Sequence, residues 1–594
     1  MIWCLTTYVH DASFVPDAIL RVSAKNMSIG GIQRYSTSIN GSIPGPELRF
    51  SEGKIVWIRV YNDMTDANTT MHWHGLSQAA YPFSDGTPLA SQWPIPPLYF
   101  FDYEVQLANG TAGTYFYHSH AGFQAVSASG PLIIEDADET PYKTDKEQTV
   151  FIQELFNTTD TQIAQGLEAT PLIWPGETNG FIVNGETISD WGVVDNSSAR
   201  LHTIEVDPDT SYRLRFVAAT ALSYAVFAFQ SHGGLQVIEA DGHYTKPVPT
   251  SLLQMGSAQR FSVLFKTKSC RELEQTGRLD YYLQIENRER NAPVTSYAIL
   301  RYRNTCGIPS INVQRLPTTS YPTSKPINLP PTINGFLDYQ LEPLQPNNFP
   351  SAAEVTRRVI VNIQQFISGG AAYVWTDSNI SWTEDTNDPQ QHVTPSAPYL
   401  VSLYENQTAY LPNYRAAVAN GGLDPKTKTF PGKMGEVLEI IFQNVGAVSN
   451  DNGLSSGALD VHPWHAHGKH YYDLGSGPGP WSAAVMESKL NGTQPLERDT
   501  TMLFRYNETI SPNEVAGWRA WRLRVEDPGV WMIHCHWLQH MIQGMQTVWV
   551  FGDAKDILRV PKPDVEGFLT YGGSVYGNAS HAPEMVHFSD VEKV

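Results

Sequence analysis

With 594 residues and a net charge of −20, the chain is too long for one hydrophobic core and too acidic to favour nucleic acid or an anionic membrane surface. Roughly two to four domains are expected at this length. Charged residues make up only 17% while 45 Gly and 40 Pro supply many turns, which suits an all-β protein, and no apolar run approaches the roughly 18–20 residues that span a bilayer.

Four cysteines, Cys4, Cys270, Cys306 and Cys535, are too few for a disulfide scaffold. Cys270 and Cys306 flank one hairpin region and read equally as a bridge or as two free thiols. N-glycosylation sequons at Asn26, Asn40, Asn68, Asn109, Asn157, Asn196, Asn379, Asn406, Asn491, Asn507 and Asn578 lean towards a secretory or vesicular route. The start, MIWCLTTYV, has no basic region and no cleavage site. Either the N-terminus is truncated or the protein is not conventionally secreted.

From residue 10 to 138 the pattern is short strands broken by turns. PGPELRFSEGKIVWIRVYN (Pro44–Asn62) alternates after a Pro-Gly turn, then TMHWHGLSQ places His72 and His74 on one strand face, and GTYFYHSH does the same for His118 and His120. A charged stretch, DADETPYKTDKEQ, marks a boundary. The second segment, 147–305, continues the strand pattern in ARLHTIEVDPDTSYRLRFVAA (Ala199–Ala219) without HxH pairs. Its His202, His232 and His243 read as core or surface histidines. Residues 306–354 are rich in Pro, Asn, Ser and Thr and read as a linker laid over the surface. The third segment, 355–560, carries FPGKMGEVLEIIFQNVG, then HPWHAHGKH, then PGVWMIHCHWLQHMIQGMQTVWV, and 561–594 reads as a tail.

Segments one and three repeat the same order: turn, EGKIVWIRVYN or GEVLEIIFQN, one His motif, a second His motif, and a closing strand. Three copies of one β-sandwich, with metal on the outer two, account for this.

In Val530–His536 successive side chains alternate faces, so Cys535 points one way while His534 and His536 point the other. His540 and Met545 follow on the cysteine side. A thiolate, an imidazole and a thioether are most of a blue-copper site, which needs two His and a Cys in a plane with a weak axial Met. Four HxH pairs, His72/His74, His118/His120, His465/His467 and His534/His536, give eight further imidazoles that divide into three, three and two around three ions. His462 is left over and supplies the second equatorial histidine. Zinc competes for such donors but does not explain a Cys–His–Met site joined to a histidine cluster.

These four motifs resemble those of the multicopper oxidases, the family of laccases, ascorbate oxidases and ferroxidases. HDASFVPD, SQWPIPPLYFFDYE, HPWHAHGKHYYDLGSG and HCHWLQHMIQGMQTVWVFGD are similar to fungal ascorbate-oxidase-like and laccase-like members. The resemblance implies three consecutive cupredoxin-like Greek-key β-sandwich domains and four copper ions. It implies type 1 ligands His462, Cys535 and His540 with axial Met545, and type 2 ligands His72 and His465. It implies His74, His118 and His536 on one type 3 copper, and His120, His467 and His534 on the other. Asp85, in FSDGTP, matches the family acid that assists proton delivery beside the type 2 copper; as residues alone it also reads as an Asp-Gly turn.

Two departures stand out. Where many relatives carry SQCPI, with a cysteine tying the first domain to a distant segment, this chain has Trp93. VAATALSY (Val217–Tyr224) holds no carboxylate where many fungal laccases place one for the phenol. The implied activity is one-electron oxidation of a small phenolic or enediol donor coupled to dioxygen reduction by a monomer, with ferroxidase activity, ascorbate oxidation, or electron carriage without turnover as rivals. For a ferroxidase, Glu487, Glu497 and Asp499 would attract a cation; otherwise they form a solvated loop.

Overall fold

The computed structural model describes residues 5–189, 197–310, 313–368, 372–384, 396–449 and 457–593. Cys4 and the sequon Asn196 lie outside these residues.

The strands build three sandwiches of two sheets each. In the first, a sheet ordered Ile32–Ile39, Ala18–Ile29, Lys54–Asn62, Phe100–Leu107 and Tyr576–Gly577 covers a sheet ordered Leu48–Ser51, Ser129–Glu135, Gly113–His118 and His72–His74. The second pairs a six-stranded sheet from Gly180–Val183 to His243–Thr250 with a five-stranded sheet from Thr203–Val206 to Leu253–Met255. The third repeats that plan, from Ala372–Asp377 to Glu497–Arg498 and from Phe430–Gly432 to Thr500–Leu503. Each sandwich opens with a parallel pairing followed by antiparallel neighbours: Ala18–Ile29 on Lys54–Asn62, Lys146–Leu155 on Ser211–Ala218, and Arg357–Ser368 on Val437–Ser449. Parallel neighbours within a mainly antiparallel sheet require a long crossover, the mark of a cupredoxin-like Greek key.

Alternating apolar residues fill each sandwich, and the cores of the first and third continue across the domain boundaries. Leu20, Val22, Ile58, Val60 and Tyr103 are buried in the first, Leu214, Phe216, Val263 and Leu283 in the second, and Ile440, Phe442, Trp464 and Trp521 in the third. Cys270 and Cys306 form a disulfide in the second domain.

Two segments are more integrated than their composition suggests. Between 306 and 354, Leu337 and Leu341 enter the second-domain core while Asp338 pairs with Arg519 of the third. This segment is a strap between domains rather than a surface linker. The residues after 560 also belong to the fold: Tyr576–Gly577 extends the first-domain sheet and Glu584–Val586 pairs with Thr7–Val9. Trp93 donates from Nε1 to the Leu569 carbonyl (3.0 Å) and its own carbonyl accepts from the Tyr576 hydroxyl (2.7 Å). A hydrogen-bonded tryptophan thus ties the first domain to the C-terminal segment at the SQWPI position. His10 links the same ends, with Nδ1 2.8 Å from Asp102 and Nε2 2.9 Å from His587 Nε2.

Glu104 completes this dock by accepting from the Phe588 and Ser589 amides (2.7 and 3.0 Å). Burial pushes its carboxyl up to about 7 from an ordinary 4.5. A raised folded-state value means the contribution is fully present below about 4.5 and is lost as pH rises through about 7. Glu104→Gln should therefore flatten the stability profile over that window, where the wild type loses up to about 3 kcal/mol. Melting temperatures of both proteins at pH 5 and pH 8 check this; identical pH slopes would show that Glu104 is not responsible.

Candidate metal centres

The histidine pairs sit at the ends of paired strands. His72 lies opposite His118 across the His72–His74 and Gly113–His118 pairing, and His465 lies opposite His534 across His462–Ala466 and Gly529–Cys535. Because strand side chains alternate, the second histidine of each pair returns to the same face. The two outer domains bring these faces together. His74 stacks on His465 with ring centroids 3.7 Å apart, His72 lies 3.9 Å from His467, and His120 and His534 are 5.2 Å apart. All eight imidazoles are buried in one cluster between the first and third domains.

One nitrogen of nearly every ring is tied to protein. Nδ1 of His72, His118, His465 and His534 meets the carbonyls of Asp85, Ser119, Asp499 and Cys535 at 2.6–3.0 Å. Nδ1 of His467 lies 3.0 Å from Asp85 Oδ2, and Nδ1 of His120 lies 3.3 Å from Glu384 Oε1. His74 is reversed, with Nε2 3.2 Å from Asp499 Oδ1. The remaining nitrogens, Nε2 of His72, His120 and His465 and Nδ1 of His74, have no hydrogen-bond partner among the described residues. Nε2 of His467 faces Nε2 of His534 at 3.2 Å, and Nε2 of His118 faces Nε2 of His536 at 3.4 Å. Fixing one nitrogen selects the tautomer and directs the other lone pair inward, the arrangement of metal-ligating histidines. Burial holds His72, His74, His465, His467, His534 and His536 well below the ordinary imidazole range and His118 down to about 3, so their lone pairs are free for a metal.

Cys535 faces away from this cluster into the third-domain core. Its Sγ lies 3.8 Å from His462 Nδ1 and 3.7 Å from His540 Nδ1, and those nitrogens are 3.1 Å apart. These three donor atoms lie within reach of one ion, which His462, Cys535 and His540 would hold. Trp375 packs on both rings, 4.9 and 4.7 Å between centroids, and Met545 is fully buried with its amide on the His540 carbonyl. The chain Cys535–His536, with His534 before it, is a covalent run between the two sites.

Asp85 is buried. Its carbonyl takes the His72 ring, and its carboxylate takes Thr87 Oγ1 (2.5 Å) and faces His467. It is also a turn residue: a Cβ on Gly86 (φ +78°) would lie 1.9 Å from the Met71 carbonyl oxygen.

Asp499 is neither a surface cation trap nor part of a solvated loop. It is fully buried, bridged to Arg260 of the second domain at 2.6 and 2.7 Å, and adjoins His74 and His465. Arg498 pairs with Asp241 at 2.5 Å and Asp241 lies 3.4 Å from Arg260, which closes a quartet of buried charges. Gly75 (φ +91°) permits it, because a Cβ there would lie 2.6 Å from the Arg260 guanidinium and 2.7 Å from Asp499. Glu487 is paired with Arg522. Of the second-domain histidines, His202 meets Glu186 and His232 meets Tyr302, while His243 contacts His470 at the domain junction. Sequence reasoning missed the roles of Glu384, Arg260 and His243, which no local spacing marks.

Three sandwiches that carry a site of one cysteine and two histidines, fused through one strand to an eight-histidine cluster, define a copper oxidase class. Models of the multicopper oxidase family match residues 21–139, 146–305 and 392–555. The chain belongs to the multicopper oxidases, and membership implies four coppers, which this donor set fits. It is 43% identical to laccase-like multicopper oxidase 1 of Thermothelomyces thermophilus over 98% of this chain and 94% of that protein. It is 43% identical to multicopper oxidase aurL2 of Gibberella zeae (97% and 95% covered) and 29% identical to L-ascorbate oxidase of Cucumis sativus (88% and 86%). Among solved structures it is similar to Fet3p, a multicopper oxidase that functions in iron import, with a TM-score of 0.67 at 23% identity, covering 90% of each chain. The laccase of Botrytis aclada gives 0.68 at 21% identity over 90% of this chain and 87% of that one.

Arg260→Met should leave Asp499 buried without its guanidinium partner, with Asp241 held by Arg498 alone, and cost roughly 3–5 kcal/mol. The effect should appear as a lower melting temperature and weaker copper retention on dialysis; wild-type values for both would show that the quartet does not hold the cluster.

Proposed function

We propose that the protein oxidises a small phenolic donor at the Cys535 site and passes its electrons to dioxygen at the eight-histidine cluster. His462, Cys535 and His540, together with Met545, would hold the type 1 copper, and His72 and His465 the type 2 copper. His74, His118 and His536 would hold one type 3 copper, and His120, His467 and His534 the other. Bound there, copper supplies one-electron uptake from the donor and four-electron reduction of dioxygen to water.

The observation that carries the phenol reading is Asp460. Its Oδ2 lies 3.6 Å from Nε2 of His540, the nitrogen on the far side of the ring from Cys535. A carboxylate there can take the hydroxyl proton of a donor resting on the His540 edge. Burial works against its charge, but Arg290 and the His540 ring outweigh it and hold the carboxyl below the ordinary range. The third domain thus offers the acid that VAATALSY lacks. The carboxylate that does touch that stretch, Glu154, is taken up by the Ala221 and Leu222 amides (both 2.6 Å). Arg290 lies over Trp174 and Trp537, and Trp174 is 41% exposed, so the rim offers an aromatic face.

Arg290 also argues against a ferrous donor. It forks onto Glu177 (2.7 and 2.8 Å) and bonds Asp460 (3.1 Å), which sets a fixed positive charge where a cation would have to approach. Oxygen uptake with phenols, ascorbate and ferrous iron separates the readings. We expect Cys535→Ser to lose the blue colour and turnover, and Asp460→Asn to raise KM for phenols about tenfold or lower kcat/KM by that factor. Ferrous iron as the best donor, or an unaffected Asp460→Asn, would overturn the phenol assignment.

A secretory or vesicular location is supported by the disulfide and by the sequons: Asn26, Asn40, Asn68, Asn109, Asn157, Asn379, Asn406, Asn491 and Asn507 are all exposed. Among the described residues no helix is long and apolar enough to cross a membrane. Intact mass before and after deglycosylation should differ by several glycans when the protein is made in a fungal host; an unchanged mass would count against this route.

A further inference from the structure

Asn68 opens the sequon Asn68–Thr69–Thr70 and is exposed, while both threonines are buried. Backbone and side chain are both held. The Asn68 carbonyl accepts from Gln124 Nε2 (2.8 Å), and Thr69 pairs with Ile95 through both backbone groups (3.3 and 2.8 Å). The Asn68 side-chain Oδ1 accepts from the Tyr571 hydroxyl at 2.5 Å. Its Nδ2, the atom that an N-linked sugar occupies, has no hydrogen-bond partner among the described residues. Tyr571 belongs to the C-terminal segment and is 43% exposed. Its ring stands edge-on to half-buried Trp93, with centroids 5.9 Å apart. The seam between the first domain and the C-terminal segment thus shows solvent an aromatic ring beside a free amide nitrogen. By contrast, Asn40, Asn406 and Asn578 spend Oδ1 on the backbone amides of Arg21, Ala409 and Ser580.

We propose that Asn68 carries an N-linked glycan whose first N-acetylglucosamine packs on the Tyr571 ring and clasps the C-terminal segment to the first domain. The inference rests on the secretory reading. A polyprenyl-diphosphate-linked oligosaccharide supplies the sugar. Its C1–O bond breaks, Nδ2 gives up one of its two hydrogens and bonds to C1, and the lipid diphosphate leaves. Transfer to the unfolded chain precedes the burial of Thr70. After folding, Oδ1 still accepts from the Tyr571 hydroxyl and Nδ2 keeps one hydrogen, so the linkage displaces no contact of the protein. The same hydroxyl bond keeps the ring from turning away. A sugar ring has a face of C–H groups that rests on an aromatic ring, while its hydroxyls stay in water, so the contact removes apolar area at little polar cost. The seam has need of such a clasp. Trp93 occupies the SQWPI position, residues 561–594 hold no cysteine, and Trp93 reaches the segment through two hydrogen bonds, to Leu569 and Tyr576. A glycan on Asn68 adds a tie a few residues from these, on the solvent side.

The test uses the full chain secreted from a fungal host. Glycopeptide mass mapping locates the sugars, and limited proteolysis measures how fast the C-terminal segment is cleaved. Asn68→Asp removes the glycan and keeps an acceptor for the Tyr571 hydroxyl; amidase treatment of folded wild type gives the same product, should the variant fold poorly. We expect Asn68 to be occupied and cleavage to quicken about tenfold in Asn68→Asp. Trimming the wild-type glycan to one N-acetylglucosamine should leave the cleavage rate unchanged, because the first sugar makes the contact. In Tyr571→Ala, loss of the glycan should add little further, since the two partners act as one. Equal acceleration by glycan loss in the Tyr571→Ala background, or none in wild type, would overturn the clasp. Glycans at other sequons with Asn68 bare would overturn it alone; no glycan at any sequon would overturn the secretory reading and the clasp with it.

Discussion

Eight imidazoles must each aim one lone pair at a common space, and that space lies between two separately folded sandwiches. The pleat of a β-strand solves half of this, because residues two apart share a face and neighbouring strands set His72 beside His118 and His465 beside His534. The other half is orientation. Carbonyls of Asp85, Ser119, Asp499 and Cys535 fix one nitrogen of four rings, and Asp85, Glu384 and Asp499 side chains fix three more. A ring free to rotate would lose its tautomer and its aim together.

The same pleat separates the two redox sites and joins them. One residue step along Gly529–Cys535 moves from a ring in the cluster to a sulfur in the third-domain core. Cys535 is enclosed with Trp375, Trp537 and Met541, whereas the far edge of His540 faces Asp460, which pairs with Arg290. The cysteine site and the histidine cluster therefore lie on different faces of one strand, and a charge pair from the second domain, Arg290 with Asp460, reaches the cysteine side.

That domain lends the cluster no ligand pair, yet it closes the back of it. Arg260 and Asp241 lock onto Asp499 and Arg498, and the hairpin that carries Asp241 also carries His243. A buried quartet tolerates no missing member, since each charge is desolvated and is offset only by its neighbours. The strap through Asp338 and the C-terminal segment docked by Trp93, His10 and Glu104 add further ties across domains, so the sandwiches are held at the spacing the cluster needs.

The amino-acid sequence by itself determined the β class, the threefold repeat and which histidines share a strand face, because strand periodicity and HxH spacing are local properties of a few adjacent residues. It could not decide whether Cys270 meets Cys306, what Asp499 faces, or whether residues 561–594 dangle. Tertiary structure alone decided these, together with Asp460 on the His540 edge, Glu384 on His120, and His243 on His470. Each such pair joins residues from about 36 to more than 260 positions apart, and burial rather than spacing selects the partner. A charged or titratable group carries no sign in its own neighbourhood of the charge it will meet across a domain interface.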